Sequence, residues 1–179
     1  MPRVYLGLGS NIDPGENIRF AVAELRRRFG RVDLSPLYRA PAIGFDSDDF
    51  LNLVAAIDTE LSPLELLDTI EEIHTLAGRH RDAANKWVAR PLDIDLLTYG
   101  ELVEPERPVR VPRADILDYA FVLRPLSELA PDVPHPVTGR SFAEHWQDFD
   151  AREQPLEPVE LDLANDTRGL LSNSGDRSC

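Results

Sequence analysis

Two spacings organise the apolar residues of this chain. VYLGLG, residues 4–9, reads as a first strand running into the turn GSN. A helix is predicted from Asp13, because Asp13-Pro14-Gly15-Glu16 offers an N-cap acid, a proline at the first helical position and a capping-box glutamate. Ile18, Val22, Leu25 and Phe29 then recur at helical spacing and Gly30 ends the run. VDLSPLY (32–38) and FLNLVAAIDT (50–59) read as strands joined by the loop RAPAIGFDSDD. Ser62-Pro63-Leu64-Glu65 is a second capping box, and Leu66, Leu67, Ile70, Ile73 and Leu76 follow it at helical spacing before Gly78.

A last strand is interrupted in an informative way. In RPLDIDLLTYG, residues 90–100, Asp93 and Asp95 break a run of leucine, isoleucine and tyrosine. Alternate side chains of a strand point to opposite faces, so both carboxylates share one face while Leu92, Ile94 and Leu96 share the other. One face is core and the other doubly anionic. The order β-α-β-β-α-β predicts an α+β, ferredoxin-like fold: an antiparallel four-stranded sheet with both helices on one face and the other partly open. Beyond residue 100 we expect a proline-rich connection, a short C-terminal strand AFVL (120–123) and two short helices from PLSELA and SFAEHWQDF. His135 reads as a turn residue, and His145 and Trp146 as anchors of the last helix. Residues 1–150 are expected to form one domain, and 151–179, acidic and aperiodic, a mobile tail.

Composition narrows the function classes. A chain of 179 residues, 42% of them hydrophobic, supports one full core, and no apolar run approaches the roughly 20 residues needed to span a bilayer. The N-terminus lacks a secretion pattern and Cys179 is the lone cysteine, which points to a cytoplasmic, reducing compartment. A net charge of -13 argues against a nucleic-acid partner. Against that balance, Arg79, His80, Arg81, Lys86 and Arg90 cluster just before the two aspartates, and Arg107, Arg110 and Arg113 follow them. A basic pocket in an acidic protein suits a small anionic ligand.

Residues two apart on a strand lie about 6.5 Å apart, so carboxylates there can converge on one ion or bridge two. Hard oxygen ligands favour magnesium, and no Cys or His spacing resembles a zinc site. Beside this dyad, arginine forks in the 79–90 loop supply what a triphosphate requires. Such a transfer asks the protein mainly for positioning and electrostatic stabilisation, so it needs no protein nucleophile. The same residues also fit a solvated acid pair with the basic loop as its ion-pair partner. There is no Walker sequence, Rossmann glycine fingerprint or Gly-x-Ser-x-Gly elbow.

In order and spacing, YLGLGSN, LYRAPAIGF followed by FLNLV, GRHR, W-x-x-R-P-LDIDLL and FVLRPLSELAPDVPHP resemble the 6-hydroxymethyl-7,8-dihydropterin pyrophosphokinase family over residues 3–147. The resemblance implies a ferredoxin-like fold and a transferase of folate biosynthesis, a kinase that uses ATP as co-substrate with two magnesium ions. It moves pyrophosphate to the pterin hydroxymethyl oxygen and releases AMP. It further implies that Asp93 and Asp95 hold the metal, and that Arg79, Arg81 and Arg90 act on the phosphates. Trp87, Leu96, Arg113 and Tyr119 fall at nucleotide-site positions, Trp87 also closing over the pterin. Asn52 would bond the pterin edge, Phe50 and Phe121 would flank its ring, and Ala40, Pro41 and Ile43 would line the slot.

The chain departs from the family pattern at several points. His74 stands where a glutamate is usual, the stretch from Arg81 to Trp87 is one residue longer, and Trp87-Val88-Ala89-Arg90 replaces Trp-Gly-Pro-Arg. Arg113 stands in place of a histidine and Tyr119 in place of an arginine. His74 reads as a partly exposed helical residue. The 79–91 loop reads as a mobile lid. Two classes remain open: a monomeric pyrophosphokinase serving two small-molecule substrates, or a non-catalytic or weakly active pterin-binding paralogue.

Overall fold

The computed structural model describes residues 1–44, 46–78 and 91–163. In Arg3–Ser10 (β1), Val4, Leu6 and Leu8 enter one core, whereas Tyr5 enters a second core on the opposite face. The helix Pro14–Phe29 (α1) buries Ile18, Ala21, Val22 and Leu25 against the first core and closes at Gly30, whose φ of 77° suits glycine. Its start differs from expectation. Asp13 takes φ 40°, ψ 52° and makes no side-chain cap bond. An N-cap needs extended backbone to turn its oxygen back onto the helix, and here Asn17 holds the turn instead, its side chain donating to the Ile12 carbonyl at 2.6 Å.

The expected strand 32–38 is two pieces, Asp33–Leu34 (β2) and Leu37–Ala40 (β3). Pro36 has no N–H for a ladder. At the break, Ser35 bonds Val54 on Phe50–Asp58 (β4) twice, donating its N–H to the Val54 carbonyl at 2.9 Å and accepting the Val54 N–H on its hydroxyl at 2.8 Å. The helix Pro63–Leu76 (α2) starts as expected, with Ser62 and Glu65 forming the reciprocal capping box, and buries Leu66, Ile70, Ile73 and His74. Asp93–Tyr99 (β5) completes this half.

Asp115–Asp118 (α3), Ala120–Leu129 (α4) and Phe142–Asp148 (α5) follow. AFVL is thus the first turn of a helix and not a strand. Ile116, Ala120, Leu123, Leu126 and Ala130 are buried at helical spacing, a period that a four-residue apolar run is too short to reveal. With Phe142 they pack on Tyr5, Val54, Ala56 and Leu97. Helices therefore cover both faces of the sheet, α1 and α2 on one and α3 to α5 on the other, where one covered face was expected. His135 is the expected turn residue, its Nδ1 accepting the Val137 and Thr138 N–H groups. Trp146 packs on the second core.

The tail reading is corrected for residues 151–163. Glu157–Val159 (β6) pairs antiparallel with β3, and Val159, Leu161 and Leu163 pack against the first core. The antiparallel sheet runs β5-β1-β4-β3-β6, with β2 also on β4. Residues 164–179 lie outside the described residues. No described helix is long and apolar enough to cross a membrane.

Because Ser62 supplies the side-chain half of an intact capping box, Ser62→Ala is expected to lower unfolding stability by about 1 kcal/mol. Urea titration should register this as an earlier midpoint at unchanged slope.

Candidate active site

One row of residues crosses four strands. Asp93 on β5 faces Gly9 on β1, Gly9 faces Asn52 on β4, and Asn52 faces Tyr38 on β3. A parallel row sets Asp95 beside Gly7 and Gly7 beside Val54. Residues directly opposite in a ladder share a face, so Asp93 and Asn52 stand on either side of Gly9, two strand spacings or roughly 9–10 Å apart. Gly9 leaves the space between them open. A Cβ built there would come within 3.0 Å of the Asn52 side-chain oxygen, and one on Gly7 within 3.4 Å of Leu97.

Above this floor is a cavity of about 270 Å³. Pro41 and Ile43 form one rim; Phe50, Tyr119 and Phe121 supply aromatic wall; Asp93, Asp95 and Asp115 occupy the polar end. Tyr119 and Phe121 stack at 5.2 Å with their planes 16° apart. Asn52 is buried, and among the described residues its Nδ2 has no hydrogen-bond partner. A buried amide donor left unmet costs on the order of 1–3 kcal/mol, which a ligand acceptor would recover. Beside it, the Tyr38 hydroxyl donates to Glu128 on α4, and burial, with that hydrogen bond and charge, pushes its phenol up to about 12.

Arg113 links the acids. Its guanidinium lies 2.9 Å from Asp115 and 3.7 Å from Asp95. Burial works against its charge, but the charge of Asp95, the hydrogen bond to Asp115, and the Asp115 and Asp93 charges outweigh it and raise its pKa. Asp93 and Asp95 line the same cavity, whereas Leu92, Ile94 and Leu96 are core. The division of faces expected from the sequence is therefore present. Among the described residues no group of three or more acidic, histidine or cysteine side chains could hold a metal. A carboxylate pair completed by substrate oxygens and water is the manner in which magnesium is held, so the donor set fits that ion.

His74 is fully inside, not partly exposed. Its Nε2 accepts the Ile94 N–H at 2.9 Å, between the two aspartates, and its Nδ1 lies 3.1 Å from Glu71. An imidazole that accepts at Nε2 carries its proton at Nδ1, so His74 fastens the outer edge of β5 to α2 as a neutral ring.

Of the residues expected at a site, Pro41, Ile43, Phe50, Asn52, Asp93, Asp95, Tyr119 and Phe121 line this one cavity. Tyr119, expected at a nucleotide-site position, extends the aromatic wall of this cavity through its stack on Phe121. Leu96 does not line it: one residue out of phase with Asp95, its side chain is buried in the core of the opposite face, as the strand period predicts. Ala40 lies behind the wall, lining a smaller cavity with Pro41, Ile43 and Phe121. Arg79, Arg81, Trp87 and Arg90 lie outside the described residues. Sequence reasoning missed Gly7, Gly9 and Asp115; the signals were glycine at alternate positions of a strand and an acid two residues from Arg113.

Residues 5–131 match the family model for 7,8-dihydro-6-hydroxymethylpterin-pyrophosphokinase. The chain is similar to the 2-amino-4-hydroxy-6-hydroxymethyldihydropteridine pyrophosphokinase of Pseudomonas aeruginosa, with 42% identity over 79% of this chain and 88% of that protein. The enzyme of the same name from Methylorubrum extorquens is 45% identical over 74% of this chain and 85% of its own length. Among solved structures, Plasmodium falciparum HPPK-DHPS superposes with a TM-score of 0.66 at 13% identity, covering 84% of this chain and 44% of that one. That likeness concerns the fold, and the chain spans less than half of the two-part protein.

Replacing His74 by leucine removes the acceptor from a buried N–H. The expected cost is about 1–3 kcal/mol of unfolding free energy, measured by urea denaturation, and hydrogen exchange at the Ile94 amide should accelerate.

Proposed function

The chain belongs to the 7,8-dihydro-6-hydroxymethylpterin-pyrophosphokinase family, and from that membership we infer that it transfers pyrophosphate from ATP in folate biosynthesis. The acceptor is the hydroxymethyl oxygen of 6-hydroxymethyl-7,8-dihydropterin. That oxygen bonds to the β-phosphorus, the bond from this phosphorus to the α-phosphate oxygen breaks, the hydroxyl proton is released and AMP leaves. One observation carries the placement of the acceptor: a buried Asn52 donor, unmet among the described residues, in an aromatic-walled cavity whose polar end carries the Asp93 and Asp95 carboxylates.

In this reading the pterin sits above Gly7 and Gly9. Asn52 bonds its amide-like edge, and Phe50 and Phe121, with Tyr119 stacked on Phe121 in the same wall, hold its faces. The span from Asn52 to Asp93 suits a bicyclic ring with a one-carbon arm, so the hydroxyl arrives beside the dyad. Asp93 and Asp95 would hold magnesium, two ions by the family pattern, which would withdraw charge from the phosphate oxygens. Arg113 faces the triphosphate from the Asp95 side and supplies a donor and a positive charge there. Arg79, Arg81 and Arg90 grip the phosphates, and Trp87 closes over the pterin. The four-stranded part β5-β1-β4-β3, with α1 and α2 between its strands, supports the ferredoxin-like reading of the scaffold. A pterin carrier without turnover is not favoured, because it would have no use for a second carboxylate on the cavity face of β5.

Incubation with ATP, magnesium and 6-hydroxymethyl-7,8-dihydropterin should yield AMP; pterin binding by calorimetry with no AMP formed would defeat the catalytic reading. Asp95→Asn is expected to reduce turnover at least about a hundredfold, as loss of a transition-state electrostatic contact does, with the melting temperature preserved because no core cavity forms. Gly9→Ala should raise the KM for pterin about tenfold and leave that for ATP nearly unchanged, since the added methyl displaces the Asn52 amide and not the dyad.

A further inference from the structure

Tyr119 is the N-cap residue of α4, yet its side chain is an aromatic ring lining the cavity and makes no cap hydrogen bond. N-cap positions ordinarily provide a serine, threonine or aspartate oxygen for the first free N–H groups. Here the oxygen comes from elsewhere in the chain. Gln154 Oε1 accepts the Ala120 N–H at 2.8 Å, and Gln154 Nε2 donates to the Asp118 carbonyl at 3.1 Å. One amide therefore grips the backbone on both sides of Tyr119, and Gln154 is itself held in a turn by its N–H to the Ala151 carbonyl at 3.0 Å.

The same segment backs the rest of the slot. Gln154 and Leu156 line a cavity of about 140 Å³ with Pro41, Ile43 and Phe121, three residues that also line the larger cavity on their other side. Directly afterwards β6 pairs with β3, whose last residue, Ala40, leads into Pro41. Arg39 and Glu157 add an ion pair at 3.6 Å. Two walls of the slot, the 41–43 rim and the Tyr119–Phe121 stack, are thus backed by residues 154–159.

We propose that Gln154 is a positioning residue for the acceptor slot: by holding the Asp118 and Ala120 main chain it sets the pitch of the Tyr119–Phe121 wall and so the affinity for a flat reduced pterin, without touching that ligand. The assignment rests on the reading of the larger cavity as the pterin slot. It gives residues 151–163 a place in substrate recognition and makes no claim on the nucleotide.

The test uses the full chain and its Gln154→Ala and Gln154→Glu variants. Pterin affinity is measured by calorimetry in the presence of magnesium and a non-hydrolysable ATP analogue, analogue affinity is measured alone, and melting temperature is recorded for each protein. Gln154→Ala should weaken pterin binding and raise its KM about five- to tenfold, the size of a lost cap, with analogue affinity within about twofold of wild type. Gln154→Glu keeps the oxygen that accepts from Ala120 and should regain part of the loss. Pterin affinity unchanged in Gln154→Ala, equal weakening of pterin and analogue, or a Gln154→Glu protein no better than alanine would each overturn the proposal. Wild-type protein that fails to bind pterin would instead remove the slot reading on which it stands.

Discussion

The structure turns on the absence of two side chains. Leu6, Gly7, Leu8 and Gly9 alternate along β1, so one face of the central strand is packed with leucine while the other is bare backbone. That bare strip lies between Asp93 and Asp95 on one neighbour and Asn52 and Val54 on the other. A binding floor made of sheet backbone cannot sag or change rotamer, and the groups at its two ends keep the spacing that strand geometry sets.

Rigidity is built around this floor from both directions. Leu92, Ile94 and Leu96 bury the back of the strand that carries the dyad, and His74 holds its outer edge through the Ile94 N–H. On the other side, Tyr38, Glu128 and Arg124 tie β3 to α4, with the Arg124 guanidinium 4.8 Å above the Tyr38 ring. The cavity residues belong to separate elements, yet each element is fixed by contacts that do not involve the cavity. Such an arrangement leaves polar groups like the Asn52 amide unmet, because the surrounding frame does not relax to satisfy them.

What could be read in the sequence followed from strict local rules. The carboxylate face of β5 was legible because a strand has a period of two, and the start of α2 because Ser62 and Glu65 form a two-part signal. Asp13 and Glu16 carried the same two-part signal and misled, since the Asp13 backbone turned left-handed. Long-range pairing defeated the rest. AFVL looks extended until its partners on β1, β4 and α5 are known, and Val159, Leu161 and Leu163 alternate too briefly to announce a strand. His74 was misjudged because its acceptor role depends on a main-chain N–H twenty residues away. The open floor at Gly7 and Gly9 needed the register of two ladders.

β6 also has a meaning apart from the slot. A sheet that ended at β3 would offer its row of main-chain donors and acceptors to any passing strand, the usual origin of uncontrolled self-association. The segment that covers it is only Glu-Pro-Val, with Pro158 opposite Tyr38. Proline has no N–H and glutamate carries charge, so this border accepts a partner on its inner side and refuses one on its outer side. The chain thereby guards this border of its own sheet with three residues.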